Sequence, residues 1–305
     1  MRAAERTGER AVEILATGPR ALVEDLGRPG LARLGVGRSG ATDRTSHALA
    51  QRLVGNTDDA AGVEVTLGGL RLRARGALLA VVTGAPVPVT VDGRPRTPGE
   101  LLHLRDGAEL ALGTATAGLR AYVAVRGGLD VPAELGSRST DTLSGLGPAP
   151  LAVGDVLPVG EDVRALPTLD AVPVVEPRDS GGEVVLRVAP GPRRDWIASP
   201  GALVDPLWRV SSRSDRIGVR LEGDAVRRDA AHEGAELPSE GVVRGSIQVP
   251  PGGEPVLFLA DHPVTGGYPV AAVVLDADVD RAAQLRPGDP VRLAWTNEET
   301  SHPGR

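Results

Sequence analysis

The residues best placed to do chemistry in this chain lie in four polar stretches punctuated by glycine or proline. In Arg213-Ser214-Asp215-Arg216, two guanidinium forks flank one carboxylate. Asp215 could orient one fork and leave the other for a carboxylate or phosphate, but an ordinary surface ion-pair cluster has the same residue pattern. Glu240 and Gln248, within residues 239–250, could supply a general base and an amide contact, or be ordinary loop residues. The third stretch, Asp261-His262-Pro263-Val264-Thr265-Gly266-Gly267-Tyr268-Pro269, sits between the apolar runs 256–260 and 270–275. Its paired glycines and two prolines forbid a continuous strand and allow the backbone to approach a ligand closely. The fourth, residues 22–30, is a Gly/Pro-rich polar loop carrying Arg28.

Other patterns fall short of their chemistry. Gly35-x-Gly37-x-x-Gly40 has dinucleotide-fingerprint spacing and precedes a helical pattern, but no buried strand and parallel βαβ unit surround it, so it reads as a tight loop. Asp276-x-Asp278-x-Asp280 begins like a calcium loop, yet Arg281 stands where glycine is needed and Pro287 where a bidentate glutamate is needed. The histidines, at 47, 103, 232, 262 and 302, lack metal-ligand spacing, and no Gly-x-Ser-x-Gly elbow occurs. A triad assembled from distant positions remains open, with His262 the histidine inside a candidate site. The chain has neither cysteine nor lysine. It therefore forms no disulfide, thiol nucleophile, Schiff base, Walker A loop or lysine-linked biotin.

These stretches need a frame, and short apolar runs between turns predict a mostly β one. Strands are expected at 11–16, 62–67, 70–74, 77–83, 87–91, 101–104, 109–112, 121–125, 183–189, 256–260, 270–275 and 291–295. Asp92-Gly93 reads as a hairpin turn. Asp43 is a plausible N-cap for a helix with Ala48, Leu49, Leu53 and Val54 on its apolar face, and a short helix interrupted by Pro200 is expected within 195–207. Strand spacing favours a sandwich or barrel over a doubly wound sheet. The 40 glycines and 26 prolines mark turns, and a Pro/Asp/Gly-rich segment, 161–182, divides an N-terminal β-rich domain (11–160) from a C-terminal one (183–297). Residues 1–10 and 298–305 are expected to be disordered.

Aromatic residues make up 2% of the chain, leaving few rings for base stacking, and at net charge −6 the arginines are interspersed with acids. Nucleic acid is set aside as a partner. No apolar run approaches the roughly 18 residues of a membrane span, and the chain is expected to be soluble and cytoplasmic with no membrane partner.

Several longer motifs occur in order: Val23-Glu24-Asp25-Leu26-Gly27-Arg28-Pro29-Gly30, Gly127-Gly128-Leu129-Asp130, Gly136-Ser137-Arg138-Ser139-Thr140, Ser214-Asp215-Arg216-x-Gly218-x-Arg220-Leu221-Glu222-Gly223, Ser239-Glu240-Gly241, Gln248-Val249-Pro250-Pro251 and Thr265-Gly266-Gly267-Tyr268-Pro269. Over nearly its full length the chain thereby resembles the biotin-dependent carboxyltransferase-like family. That family includes the C subunit of bacterial 5-oxoprolinase, the antagonist of a sporulation kinase inhibitor, and the second allophanate-hydrolase-type subunit.

The resemblance implies two β-rich domains with cyclophilin-like barrel architecture and few short helices. It also implies one component of an ATP-dependent 5-oxoprolinase, which opens the lactam of 5-oxoproline to glutamate together with its companion-family B subunit and its third, A subunit. ATP with magnesium would act in the assembled complex, and the small-molecule substrate would be an amide or lactam. Arg28, Arg213 and Arg216 would hold a substrate carboxylate or phosphate, while Asp215, Glu240 and Asp261 would orient groups or move protons. Gln248 would add an amide contact, and Thr265, Gly266, Gly267 and Tyr268 would present the loop to developing negative charge. Two alternatives remain: carboxyl transfer from carboxybiotin on another chain to urea or a related amide, and non-catalytic capture of a kinase inhibitor. The chain departs from the family pattern at Val270, where lysine is usual, and at His262, where arginine is expected.

Overall fold

Apolar runs of three to seven residues, closed by glycine, proline or aspartate, are long enough for strands and too short for most helices. In the computed structural model, which describes residues 10–167 and 182–296, they become strands throughout. Of the stretches expected to be disordered, residues 1–9 and 298–305 lie outside the described residues, as do positions 168–181 of the expected linker, but Arg10 is ordered, its carbonyl accepting from the Val159 N–H at 2.9 Å. The chain falls into two units, one from residues up to 33 and 38–167, the other from 34–37 and 182–296.

In the first unit the elements are β1 (Ala11–Thr17), β2 (Arg20–Glu24), α1 (Arg44–Leu53), β3 (Gly62–Thr66), β4 (Leu70–Arg75) and β5 (Leu78–Gly84). They continue with β6 (Val89–Val91), β7 (Arg94–Arg96), β8 (Leu102–Leu104), β9 (Glu109–Leu112), β10 (Arg120–Val125) and β11 (Val156–Pro158). One sheet has the order β11-β1-β4-β9-β6-β7 and the other β2-β3-β10-β5-β8. Ile14 and Leu72 from the first sheet share a core with Val82 and Val123 from the second. The opposite face of the second sheet, with Val81, Tyr122 and Ala124, packs on α1 through Ala50 and Leu53. Asp92 and Gly93, with φ of 50° and 74°, turn β6 into β7 as the hairpin reading requires.

Two local expectations need correction. Residues 20–24, read partly as polar loop, form β2, because positions 21–24 are buried alongside β3. Asp43 does cap α1, accepting from the Ser46 N–H at 2.9 Å, and of the expected apolar face Leu53 and Val54 are buried with Leu49 packed against them, but the buried side also takes in His47, Ala50 and Gln51. Gln51 can face inward because Asn56 donates its amide to the Gln51 side-chain oxygen at 2.7 Å and to the Val125 carbonyl at 2.9 Å.

The second unit contains β12 (Val184–Pro190), α2 (Gly201–Val204), β13 (Trp208–Val210), β14 (Gly218–Glu222) and β15 (Glu240–Gly241). Then come β16 (Ser246–Gln248), β17 (Val256–Phe258), β18 (Thr265–Gly266), β19 (Val270–Val274), α3 (Asp276–Ala282) and β20 (Pro290–Trp295). Seven strands close a barrel in the order β12-β19-β16-β17-β14-β13-β20, completed by parallel pairing of β12 with β20, and β15 pairs with β18 outside it. The barrel is filled by Leu186, Val188, Trp208, Leu221, Ile247, Leu257 and Leu293.

Pro200 does not interrupt a helix. It is the N-cap of α2, where its missing N–H is harmless, and a separate 3-10 turn spans Arg194–Trp196. The calcium-like pattern is likewise spent on structure. Asp276 and Asp280 pair with Arg244, and Asp278 takes Arg187 and Arg281, all on or beside α3.

Candidate functional site

In the first unit the residue 23–30 and 136–140 motifs meet. Asp25, 6% exposed, receives the Gly27 N–H (2.7 Å) and the Ser137 and Ser139 hydroxyls (both 2.6 Å) on Oδ1, and the Arg138 N–H (2.6 Å) on Oδ2. In return the Asp25 N–H donates to Ser139 Oγ at 2.8 Å. Neutral donors thus solvate a buried carboxylate. Arg28, 1% exposed, donates Nη2 to the Ser139 carbonyl at 2.6 Å, while its Nη1 is buried without a hydrogen-bond partner. This guanidinium binds the 134–140 segment through its backbone. A Cβ on Gly40 would stand 2.6 Å from the Gly27 nitrogen, so the two glycine-bearing segments cross at backbone contact. That crossing is the work of the apparent dinucleotide motif.

The second unit assembles most of the other candidates. Arg216 donates Nε to Asp261 Oδ2 at 2.9 Å and Nη2 to Oδ1 at 3.1 Å, with both side chains almost fully buried. The Asp261 N–H also donates to the Arg216 carbonyl at 3.0 Å, making the contact reciprocal. The acid that orients Arg216 is therefore Asp261, not Asp215. Asp215 is exposed and caps its own turn, accepting from the Ile217 and Gly218 N–H groups at 2.8 and 3.1 Å. Arg213 is also drawn elsewhere, with Nη2 on Glu254 at 2.8 Å and Nε on Ser211 Oγ at 3.3 Å.

The glycine loop has its own support. Gln248, 4% exposed, donates Nε2 to the Tyr268 carbonyl at 2.9 Å, and the Val249 N–H donates to the Pro269 carbonyl at 3.1 Å. A Cβ on Gly266 would lie 2.5 Å from Gln248 Nε2, so glycine is what lets the loop settle on that amide. Glu240 faces Gly266 across β15 and β18. Thr265, Gly267 and Tyr268 are exposed, Tyr268 by 46%. His262 stacks on Phe258 with centroids 5.9 Å apart, and its Nδ1 lies 2.7 Å from the Pro263 carbonyl.

Sequence reasoning missed Arg193. Its Nε donates to Glu240 Oε2 at 3.0 Å and its Nη2 to Oε1. These hydrogen bonds hold the Glu240 carboxyl below its usual range despite the opposing effect of desolvation. The one signal was Gly191-Pro192-Arg193 ending a strand run, a turn that aims a fork at a residue 47 positions away. Chemically, the second unit offers an exposed glycine-rich loop beside Glu240, whose pKa Arg193 lowers, with the Arg216–Asp261 pair buried at the start of that loop.

Two β units, one a pair of packed sheets and one a closed seven-strand barrel carrying a glycine-rich polar loop, define a mostly β protein, with no doubly wound sheet among the described residues. A family model for the carboxyltransferase domain, subdomain A and B, matches residues 34–295. The chain belongs to that family. It is 33% identical to the C subunit of 5-oxoprolinase from Escherichia coli over 293 residues, covering 94% of this chain and 92% of that one. It is also 33% identical to urea amidolyase of Saccharomyces cerevisiae over 310 residues, covering 95% of this chain but 17% of the yeast protein. The crystal structure of the Kluyveromyces lactis urea amidolyase superposes with a TM-score of 0.84 at 31% identity, over 94% of this chain and 19% of that one.

Proposed function

We propose that this chain is the C subunit of an ATP-dependent 5-oxoprolinase, working with the A and B subunits. The carrying observation is the match to the C subunit of the Escherichia coli 5-oxoprolinase over 94% of this chain and 92% of the relative. In the reaction, 5-oxoproline, ATP and two waters give glutamate, ADP and phosphate, and the lactam C–N bond is the one broken in the substrate. Magnesium-bound ATP supplies the driving force in the assembled complex. On this chain, the 265–268 loop offers backbone donors to negative charge growing on the lactam oxygen. Arg216, buried against Asp261, anchors the start of the loop, Gln248 keeps the loop in place, and Glu240 accepts a proton or orders water. Arg28 shapes the 134–140 segment of the first unit. Arg213 and Asp215 stand at the margin of the substrate region, held by Glu254 and by the turn.

The test is co-purification with the companion subunits and measurement of glutamate release. Turnover that requires both ATP and 5-oxoproline is the expected result, and absent or ATP-independent turnover overturns the proposal. Similarity to urea amidolyase supports a second reading, carboxyl transfer to an amide. With no lysine in these 305 residues, the biotin carrier would lie outside them, so carrier-dependent carboxylation of urea discriminates the two.

A further inference from the structure

Glu240 and Gly266 form a ladder only two residues long on each strand, too short to hold its geometry unaided. Something must fix it over Gln248. The segment after β12 is placed to do so. The Gly191 N–H donates to the Ala271 carbonyl and the Arg193 N–H to the Val270 carbonyl, both at 3.0 Å. A Cβ on Gly191 would fall 2.3 Å from the Val270 oxygen, so this approach is available to glycine alone. The backbone under Arg193 is thus fastened to the start of β19, at the foot of the 261–269 loop. From that base its side chain reaches both oxygens of Glu240.

We propose that Arg193 is a positioning residue of the substrate site, a clamp that fixes Glu240 and, through the β15–β18 ladder, the register of Gly266, Gly267 and Tyr268 above Gln248. The substrate part of this inference rests on the proposed function, whereas the clamp itself does not. A planar fork engaging both carboxylate oxygens fixes direction as well as distance, which a lysine ammonium does not reproduce. The pair is more than a third exposed on the arginine side, at 37%, so its contribution to global stability is small and its effect is local. The same fork lowers the pKa of Glu240. Losing it therefore moves proton-accepting behaviour at Glu240 toward higher pH.

Arg193→Ala and Arg193→Lys test the clamp in two arms. In the chain alone, hydrogen exchange at the amides of residues 240–242 and 265–267 is expected to speed up in Arg193→Ala and less in Arg193→Lys, with the thermal midpoint little changed. In the complex reconstituted with the A and B subunits, Arg193→Ala is expected to lower kcat/KM for 5-oxoproline about ten- to hundredfold and to raise the acid limb of its pH profile. Arg193→Lys should recover part of both. Unchanged exchange overturns the clamp. Faster exchange with unchanged kcat/KM and pH profile overturns its role at the site. If the wild-type complex itself does not open 5-oxoproline, the proposed function fails, and the exchange arm still decides whether Arg193 is a clamp.

Discussion

Asp25 in the first unit and Asp261 in the second are both buried, 6% and 2% exposed, yet they are kept there by different means. Asp25 is wrapped by two serine hydroxyls and two backbone N–H groups, all from its own loop or from residues 137–139. Asp261 is held by the guanidinium of Arg216, 45 positions away, itself buried. Neutral donors spread the solvation of one charge over many weak partners, so losing any one partner leaves the others in place. An ion pair sets a full opposite charge against each member, and removing either is a larger liability than losing one neutral donor.

The largest effect follows from that liability. Asp261→Ala removes the carboxylate that faces the buried Arg216 guanidinium and is expected to destabilise the chain by about 3–5 kcal/mol in urea unfolding, whereas Asp25→Asn, which keeps an acceptor oxygen, should cost about 1–3 kcal/mol. A cost below about 1 kcal/mol for Asp261→Ala would show that the pair is solvated and dissolve the contrast.

pH separates the units next. Burial lowers the pKa of His47, in the first unit, from 6.5 to about 4, against smaller opposing effects of Asp25 and Glu64. The unfolded chain takes up this proton near 6.5 and the folded chain only near 4, so stability rises with pH across that window. On acidification the loss is at most about 3 kcal/mol, and His47→Gln should flatten the slope. In the second unit, burial opposes ionisation of Asp278, but hydrogen bonds from the Arg187 side chain and backbone and from Arg281 outweigh it and lower the pKa from 3.8 to about 2. Its contribution is present above pH 3.8 and is lost as pH falls toward 2. Stability followed from about pH 7 to about pH 2 should therefore decline in two stages, and a single stage below about pH 4 would remove His47 from the account.

The smallest contrast concerns glycine. Gly40→Ala forces a Cβ against the backbone of residues 26–27 at a φ of 92°, while Gly266→Ala meets only the movable end of Gln248. Gly40→Ala should cost about 1–3 kcal/mol and lower expression, and Gly266→Ala about 1 kcal/mol, with a larger effect on turnover than on folding. Equal losses of stability would mean that Gln248 is as immobile as the backbone.

Much of the frame was legible because it is written locally. Strand runs show in two-residue alternation or continuous apolarity, Asp92-Gly93 specifies its turn, and Asp43 its cap. What escaped depends on long-range partners. The α3 segment, Asp-Ala-Asp-Val-Asp-Arg-Ala, is a poor helix former by composition and is capped by Leu275 without a side-chain bond, and Arg244 and Arg187 arrive from 32 and 91 residues away. For the same reason Asp215 looked like the natural partner of its neighbouring arginines. Adjacent residues in a turn point apart, and each fork found its carboxylate at Asp261 or Glu254. The candidate loop was visible from its glycines and prolines, but the clamp at Arg193 was not, since no local pattern connects it to Glu240.

The closure of the barrel has a bearing on how the chain comes to be folded. β20 joins β12 in parallel and β13 in antiparallel pairing, so the stave with the highest residue numbers seals the ring on both sides. Until residue 295 has left the ribosome, β12 and β13 each present an unsatisfied edge, whereas the sheets of the first unit can already be complete. Nascent second units are therefore the form most open to chaperone capture or to pairing with a neighbouring nascent chain.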